Sequence, residues 1–284
     1  MERRKRYKRK SRKTLYGIAA VVVVFFGVLT YYFLRPTDQT NISQEFSYRA
    51  AIVDHLSLHQ PNPNFNQTAS AILEEAGFTV DYYPGEEVTV NFFRDLPKHD
   101  YGLLILRVHS GIGVVEKDWV CLFTSERYTR SKYVDEQLAG RIMAACFQNP
   151  PEPPYFFGVN PDFIRLSTKG RFQNTIVIMM GCDGLRYPTL AEAFISKGAK
   201  AYISWDKAVS ASHTDEATIH LLRQLVIEKQ TIEKAVSETN KEIGPDPLDK
   251  SILKYYPESV ENHIIPNRAN NLILKDSKIF NYDS

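Results

Sequence analysis

A short apolar run that ends among glycines constrains the fold of this chain more than any other feature. Residues 176–180, IVIMM, are entirely apolar and lead directly into the sequence Gly-Cys-Asp-Gly around Cys182. Such a run is too short for a helix and is typical of a buried strand that stops at a glycine turn. The next motif, TLAE from Thr189, has the Ser/Thr-x-x-Glu pattern that starts a helix. The pattern therefore predicts a strand, a loop that carries Cys182, and a helix.

Strand-like and helix-like runs alternate along the rest of the chain. Strands are predicted at 46–58, 78–83, 101–108, 175–180 and 199–205, with a hairpin at 114–128, short strands within 155–167, and strand-like runs at 252–256 and 272–274. Helices are predicted at 67–76, 88–96, 134–147, 190–197, 215–229 and 231–243. This alternation predicts an α/β fold, a three-layer α/β/α sandwich in which helices cover both faces of a mostly parallel sheet.

The N-terminal residues predict a membrane anchor. The first 13 residues include nine Lys or Arg, and the 20 residues at 15–34 carry no charge. Twenty apolar residues that rise about 1.5 Å each match a hydrocarbon core of about 30 Å. The alternative, a cleaved signal peptide, would have a shorter apolar region and a small-residue cleavage site. We therefore expect an uncleaved, single-pass helix with its basic end in the cytoplasm and the rest of the chain outside the cell.

The anchor divides the chain into five predicted segments. These are a basic cytoplasmic tail at 1–14, the transmembrane helix at 15–35, a stalk at 36–46, an α/β domain at 47–244 and a C-terminal extension packed on that domain at 245–284. Beyond the first 13 residues, 26 basic and 32 acidic residues give a net charge of −6, so nothing indicates nucleic-acid binding. Asn66 begins one of two Asn-x-Ser/Thr sequons, a weak signal for glycosylation.

The chain contains three cysteines, Cys121, Cys146 and Cys182. A domain of this size has enough apolar residues to form a core without a disulfide framework. The odd number leaves at least one thiol unpaired, while Cys121 and Cys146 could form a disulfide or lie buried as small hydrophobic residues.

Two predicted strands end in potentially reactive side chains. The run at 101–108 is followed by His109-Ser-Gly, and the run at 175–180 is followed by Gly-Cys182-Asp-Gly. Because the carboxyl ends of parallel strands share one edge of a sheet, both side chains are expected on the same edge. An imidazole can take the proton of a thiol, and backbone N–H groups beside glycines can form an oxyanion hole. A lone cysteine is more often a small buried hydrophobe, but the joint placement predicts a catalytic dyad.

The segments LLILRVHSG and IVIMMGCDG resemble the caspase-like cysteine peptidases, the group that includes caspases, gingipains and clostripain. The resemblance covers roughly residues 48–229. It implies that His109 is the general base and Cys182 the nucleophile, with no cofactor and no metal required. It also implies an oxyanion hole made by the backbone N–H groups of Cys182 and of Ser110 or Gly111. The caspase signature has Gln-Ala-Cys-x-Gly with its histidine about 50 residues upstream, so this chain resembles a divergent member and not a caspase proper.

The resemblance also locates a pocket for the substrate residue that precedes the scissile bond. In this fold the strand after the nucleophile helix helps to build that pocket, which here corresponds to Trp205 and Asp206. Asp206 would pair with a basic substrate side chain, and Asp54 and Asp183 are further candidates near the same edge. Each carboxylate could instead be a solvated loop group or a turn cap.

The expected function is that of a membrane-anchored extracytoplasmic cysteine endopeptidase, which hydrolyses a protein or peptide through a thioester acyl-enzyme. The alternative is a caspase-like surface module that binds a protein or peptide partner without turnover. A receiver- or flavodoxin-like domain would share the α/β pattern but would leave His109 and Cys182 unexplained. His55 and His59 are four residues apart at a predicted strand end and not on a helix, so a zinc site is not supported.

Overall fold

A six-stranded sheet lies at the centre of the fold. The structure is a computed structural model that describes residues 46–113, 118–147 and 152–266. With strands numbered along the chain, this sheet contains β1 (Arg49–Asp54), β2 (Thr79–Pro84), β3 (Leu103–Arg107), β8 (Ile176–Met179), β9 (Ala201–Trp205) and β10 (Leu253–Tyr256). The spatial order is β10-β9-β8-β3-β1-β2, and each neighbouring pair is parallel except β10 with β9. The predicted α/β class and the mostly parallel sheet are confirmed.

A second, antiparallel sheet is formed by the chain between β3 and β8. Its strands are β4 (Ser110–Ile112), β5 (Val120–Arg127), β6 (Ile142–Ala145) and β7 (Phe156–Val159), in the order β4-β5-β7-β6. Of the hairpin predicted at 114–128, β5 lies within the predicted range, whereas its partner β4 lies before it, and a separate sheet was not predicted. Three of its strands have only three or four residues, which is too short for periodicity to identify.

The described residues form seven α-helices. These are α1 (Pro63–Glu75), α2 (Val90–Asp95), α3 (Val134–Leu138), α4 (Pro161–Leu166), α5 (Thr189–Ser196), α6 (Ala211–Leu222) and α7 (Ile232–Ile243). A π-helical turn, Arg223–Ile227, continues α6, and short 3-10 turns occur at His55–Leu58, Gly85–Glu87, Leu96–Lys98 and Glu258–Val260. Most of the predicted helices are therefore present, with their ends moved by a few residues.

Two predicted elements are wrong in type. The helix predicted at 134–147 is replaced by α3 and β6, because Gly140 adopts φ +67° and takes the chain out of the helix. The strands predicted within 155–167 are β7 followed by α4. The Asn160 side chain accepts the N–H of Phe163 in the first turn of α4, and Pro161 occupies the first helical position, which together start a helix.

Successive residues of the central strands pack on opposite faces of the main sheet. Ile105 of β3 packs in a cluster with residues of α1, α6 and α7, whereas Leu104 and Leu106 pack with residues of α2, α4, α5 and the second sheet. Burial of one such side chain contributes about 1.5–3 kcal/mol. Apolar residues cover both faces of the sheet, an arrangement compatible with a three-layer sandwich.

Within residues 46–113, 118–147 and 152–266, no helix is long and apolar enough to cross a membrane. The predicted transmembrane helix at 15–35 and the strand-like run at 272–274 lie outside the described residues and stay predictions. The stalk at 36–46 also lies outside them apart from its last residue.

Candidate active site

The two loops that carry His109 and Cys182 leave neighbouring parallel strands. Strands β3 and β8 pair in register from Leu103 with Ile176 to Leu106 with Met179. His109 follows the end of β3 by two residues, and Cys182 follows the end of β8 by three. Both residues therefore lie at the carboxyl edge of the sheet, where open α/β folds place their sites.

A direct hydrogen bond joins the two loops. The hydroxyl of Ser110, the residue after His109, donates to the backbone carbonyl of Cys182 at 2.6 Å. This close approach requires Gly181, because a Cβ there would lie 2.5 Å from Ser110 Oγ and 2.5 Å from the Val108 carbonyl oxygen. The glycine before the cysteine thus allows the histidine loop to pack directly on the cysteine turn.

The Cys182 thiol contacts the loop that follows β9. Its Sγ accepts the backbone N–H of Val209 at 3.5 Å and lies 3.6 Å from the Val209 carbonyl oxygen. Burial raises the pKa of the Cys182 thiol, and the negative charges of Asp183, Asp249 and Asp246 raise it further. The thiol is therefore protonated at neutral pH.

The His109 imidazole lies in a cluster of rings on the other side of the site. Its centroid is 4.6 Å from that of Phe147, 5.7 Å from that of His55 and 6.0 Å from that of His59. Burial lowers the pKa of His109 to about 4, and the positive charges of His59 and Arg107 add to this shift. The ring is therefore neutral at neutral pH and can accept a proton.

The two side chains make their contacts in opposite directions along the sheet edge. The partners of His109 include His55 and His59, which follow β1, whereas Cys182 contacts Val209, which follows β9. In the part of the chain that the structure describes, no hydrogen bond joins the His109 and Cys182 side chains. The geometry is that of a neutral thiol and a neutral imidazole that are close in the fold but not engaged.

The strand register distinguishes the two candidate oxyanion donors on the histidine loop. The N–H of Phe123 on β5 donates to the carbonyl of His109 at 2.9 Å, so this pair is a hydrogen-bonded pair of the β4–β5 ladder. Because such pairs alternate in antiparallel sheets, the N–H of Gly111 points into the ladder and that of Ser110 points away from it. The N–H of Cys182 donates to no group of the described residues. The groups left for an oxyanion are the N–H groups of Ser110 and Cys182.

Asp54, a candidate for substrate binding, belongs to a buried ion-pair network. Its Oδ1 accepts from Arg107 Nη1 at 2.7 Å, and Arg107 also donates to both carboxylate oxygens of Asp215, at 2.7 and 2.8 Å. The three charged side chains are almost completely buried. The second oxygen of Asp54 accepts from the Asn66 amide at 2.9 Å, so the amide nitrogen of that sequon is already engaged. Sequence reasoning missed Arg107 and Asp215, although an arginine within the apolar run LLILRV was a signal for a buried partner.

Trp205 and Asp183, two further candidates, are engaged inside the fold. The Trp205 side chain is 1% exposed, and its indole N–H donates to Thr214 Oγ1 at 2.8 Å. Asp183 has φ +60° in the turn after Cys182 and pairs with Arg186 at 3.0 Å. Neither side chain is free to contact a substrate in this geometry.

Asp206, the candidate for recognising a basic side chain, is engaged at the edge of the sheet. Its carboxylate accepts the N–H of Ile252 at 3.0 Å and pairs with Lys254 of β10 at 3.2 Å. Its partners come from the C-terminal part of the chain, so the residue helps to attach β10 beside β9 in this structure.

The ring cluster around His109 contains a second buried histidine, His55, which the sequence analysis considered only as a zinc ligand. His55 is fully buried, and neither of its ring nitrogens has a hydrogen-bond partner in the described residues. Burial lowers the pKa of His55 to about 3, with His109 and His59 as further causes. The described residues contain no group of three His, Cys, Asp or Glu side chains placed to hold a metal ion.

None of the three cysteines is assigned to a disulfide. Cys121 is buried on β5, and burial raises the pKa of its thiol to about 12. Cys182 is only partly buried and lies in the turn that follows β8.

No protein-family model matches the chain, and no curated protein matches it at a significant level. The likeness to caspase-like peptidases therefore rests on the two strand-end motifs.

Proposed function

We propose that the protein is a membrane-anchored, extracytoplasmic cysteine endopeptidase with a caspase-like fold, a divergent member of that group. His109 is the general base and Cys182 the nucleophile. One observation carries the proposal: the two residues follow adjacent parallel strands, and their loops are held together by the Ser110–Cys182 hydrogen bond of 2.6 Å. The predicted helix at 15–35 supplies the anchor.

The reaction uses the two side chains in sequence. The His109 imidazole takes the thiol proton, and the Cys182 thiolate attacks the carbonyl carbon of the scissile bond. The N–H groups of Cys182 and Ser110 stabilise the oxyanion. The tetrahedral intermediate expels the amine, which takes the proton from the His109 imidazolium and leaves a thioester. A water molecule that gives its proton to His109 then hydrolyses the thioester, which releases the acid and restores the thiol.

The described geometry corresponds to a resting state of such an enzyme. The Cys182 thiol is hydrogen-bonded to the Val209 backbone, and the His109 imidazole is covered by Phe147. The shifted pKa values of both groups favour their neutral forms. Proton transfer requires the two side chains to approach to about 3 Å, directly or through one water.

The charges around the thiol support a preference for a basic substrate residue before the scissile bond. Asp183, Asp246 and Asp249 all contribute negative potential at Cys182. Asp246 is completely buried and accepts hydrogen bonds from Ser210, Leu248 and Asp249, so it acts through its field and not by contact. Asp206 could pair with a basic substrate side chain only if its ion pair with Lys254 were broken.

The second candidate function is a caspase-like surface module that binds a protein or peptide partner and hydrolyses nothing. The observation that favours it is the lack of a hydrogen bond between His109 and Cys182 in the described residues, together with a raised thiol pKa. Such a module would use the same sheet edge, and its binding would not depend on the Cys182 thiol.

The test compares variants of the full-length protein in detergent on a library of peptides with basic and non-basic residues. Cys182→Ala is expected to abolish cleavage, and His109→Gln to reduce kcat at least 1,000-fold, about the effect of losing the base of a catalytic dyad or triad. Cys146→Ala, which removes the thiol of a cysteine outside the proposed dyad, is the control and should retain activity. Cleavage that persists in Cys182→Ala would contradict the proposal. Equal binding of a partner by wild type and Cys182→Ala, without cleavage by either, would support the binding module.

A further inference from the structure

The hydroxyl of Ser110 connects a strand of the second sheet with a turn that follows a strand of the main sheet. Ser110 begins β4, which belongs to the second sheet, and the turn around Cys182 follows β8 of the main sheet. In the described residues, the bond from Ser110 Oγ to the Cys182 carbonyl is the one hydrogen bond that joins residues 108–113 to residues 181–184. The spacing of the two loops therefore depends on this contact and on packing.

Both ends of this hydrogen bond are held in place. On one side, the N–H of Phe123 fixes the His109 carbonyl into the β4–β5 ladder at 2.9 Å. On the other side, the N–H of Gly181 donates to Met179 Sδ at 2.9 Å, and the N–H of Asp183 donates to the Lys207 carbonyl at 2.9 Å. Because both segments are held in place, the hydrogen bond between them couples the position of the histidine loop to that of the cysteine turn.

We propose that the Ser110 hydroxyl is a positioning group that sets the distance between the two oxyanion donors, the N–H groups of Ser110 and Cys182. This inference rests on the proposed peptidase function. Each donor belongs to a different loop, so the hole has the correct width only while the loops stay in register. The hydroxyl supplies that register, which gives a physical role to the serine at this position of the His-Ser-Gly motif.

The role predicts an effect on the transition state and not on substrate binding. A carbonyl in the ground state has little charge on its oxygen, whereas the tetrahedral intermediate carries a full oxyanion. A pair of donors with a variable spacing therefore loses most of its effect on the intermediate. The expected signature is a lower kcat at an unchanged KM.

The experiment uses the full-length protein and three substitutions. Ser110→Ala removes the hydroxyl, and Ser110→Thr retains it on the same carbon. Ser125→Ala removes a hydroxyl of β5 whose contacts with backbone carbonyls in the described residues are long, at 3.3 Å. The measurements are kcat, KM and the affinity of a peptide aldehyde, whose adduct with Cys182 places an oxyanion or hydroxyl in the hole.

We expect Ser110→Ala to lower kcat about tenfold, the effect of one lost hydrogen bond, with KM within about twofold of wild type. The aldehyde should bind about tenfold more weakly. Ser110→Thr should recover both values to within about threefold, and Ser125→Ala should leave them unchanged. An unchanged kcat and aldehyde affinity in Ser110→Ala, a change in KM alone, or no recovery in Ser110→Thr would overturn the inference.

If the wild-type protein cleaves no peptide and binds no aldehyde, the proposed function itself is wrong. Hydrogen exchange then tests the positioning role without activity. Faster exchange of the amides at 181–184 in Ser110→Ala than in Ser125→Ala supports the role of the hydroxyl in holding the turn. Equal exchange in the two variants overturns it.

Discussion

At the level of single residues, the neighbours of His109 determine its protonation. Phe147 lies closest among its ring partners, at 4.6 Å, although the Phe147 side chain is itself 42% exposed. An exposed aromatic side chain that covers a buried imidazole excludes water from it and disfavours the charged form. The low pKa of His109 therefore depends on a side chain at the surface.

Removal of this ring should raise the pKa of His109 from about 4 towards the ordinary value of 6.5. The direction follows because water that reaches the ring stabilises the imidazolium. The measurement is an NMR titration of the imidazole resonances in Phe147→Ala. Leu138→Ala, which removes an exposed apolar side chain of α3, is the control and should leave the titration unchanged. A pKa that stays near 4 in Phe147→Ala would assign the shift to the other neighbours.

The buried histidines also make stability depend on pH. His55 and His109 have pKa values of about 3 and about 4 in the fold, and both return to about 6.5 in the unfolded chain. Between those values the unfolded state binds more protons, so stability is complete above about pH 6.5 and falls as the pH is lowered. At pH 5 each histidine costs about 2 kcal/mol.

Urea unfolding at pH 7.5 and at pH 5 measures this effect. His55→Phe keeps the ring volume and removes one titrating group, so the loss of stability between the two pH values should be about 2 kcal/mol smaller than in wild type. An identical loss in wild type and His55→Phe would mean that other groups cause it. The carboxylate of Asp246 does not contribute in this range, because its pKa is about 2 in the fold and about 3.9 when unfolded.

At the level of elements, a buried ion-pair network ties together the parts that carry the site. Arg107 at the end of β3 pairs with Asp54 at the end of β1 and with Asp215 on α6. Its Nη2 also donates to the Gln60 carbonyl at 2.9 Å, in the loop before α1. Three segments, β1, the loop before α1 and α6, thus contact one guanidinium of β3, two residues before His109.

Loss of this guanidinium should be strongly destabilising. Arg107→Met leaves the buried carboxylates of Asp54 and Asp215 without a counter-charge, which costs about 3–5 kcal/mol. The exposed pair between Arg49 and Asp81 provides the control, since Arg49→Met should cost no more than about 1 kcal/mol. Urea unfolding of both variants gives the comparison. Costs of similar size would show that burial does not strengthen the role of Arg107.

The same element shows what sequence can and cannot predict. The strand at β3 and the residues that follow it were predictable, because an apolar run that ends at His109-Ser-Gly is visible in the sequence. The partners of Arg107 were not, because Asp54 and Asp215 lie 53 and 108 residues away and only the fold brings them together. The contact of Ser110 with the Cys182 carbonyl was hidden for the same reason.

At the level of the whole molecule, periodicity identified the parallel strands and failed for the second sheet. The central strands are fully buried on both faces and therefore read as continuous apolar runs. Strands β4, β6 and β7 have three or four residues, and β6 lies within a run that also satisfies a helical pattern. The edge strand β10 was visible as a short run, but its antiparallel direction is set by pairing with β9.

The burial of Cys182 among carboxylates has a consequence for how the thiol would survive outside a cell. Oxidants and disulfides react with the thiolate and hardly with the thiol. A resting cysteine whose pKa is raised by burial and by nearby carboxylates is therefore slow to form a sulfenic acid or a mixed disulfide. For the extracytoplasmic location that we propose, this chemistry would preserve the nucleophile until a substrate brings His109 to it. Burial and the nearby carboxylates, which hold the thiol in its protonated form, would thus slow its oxidation.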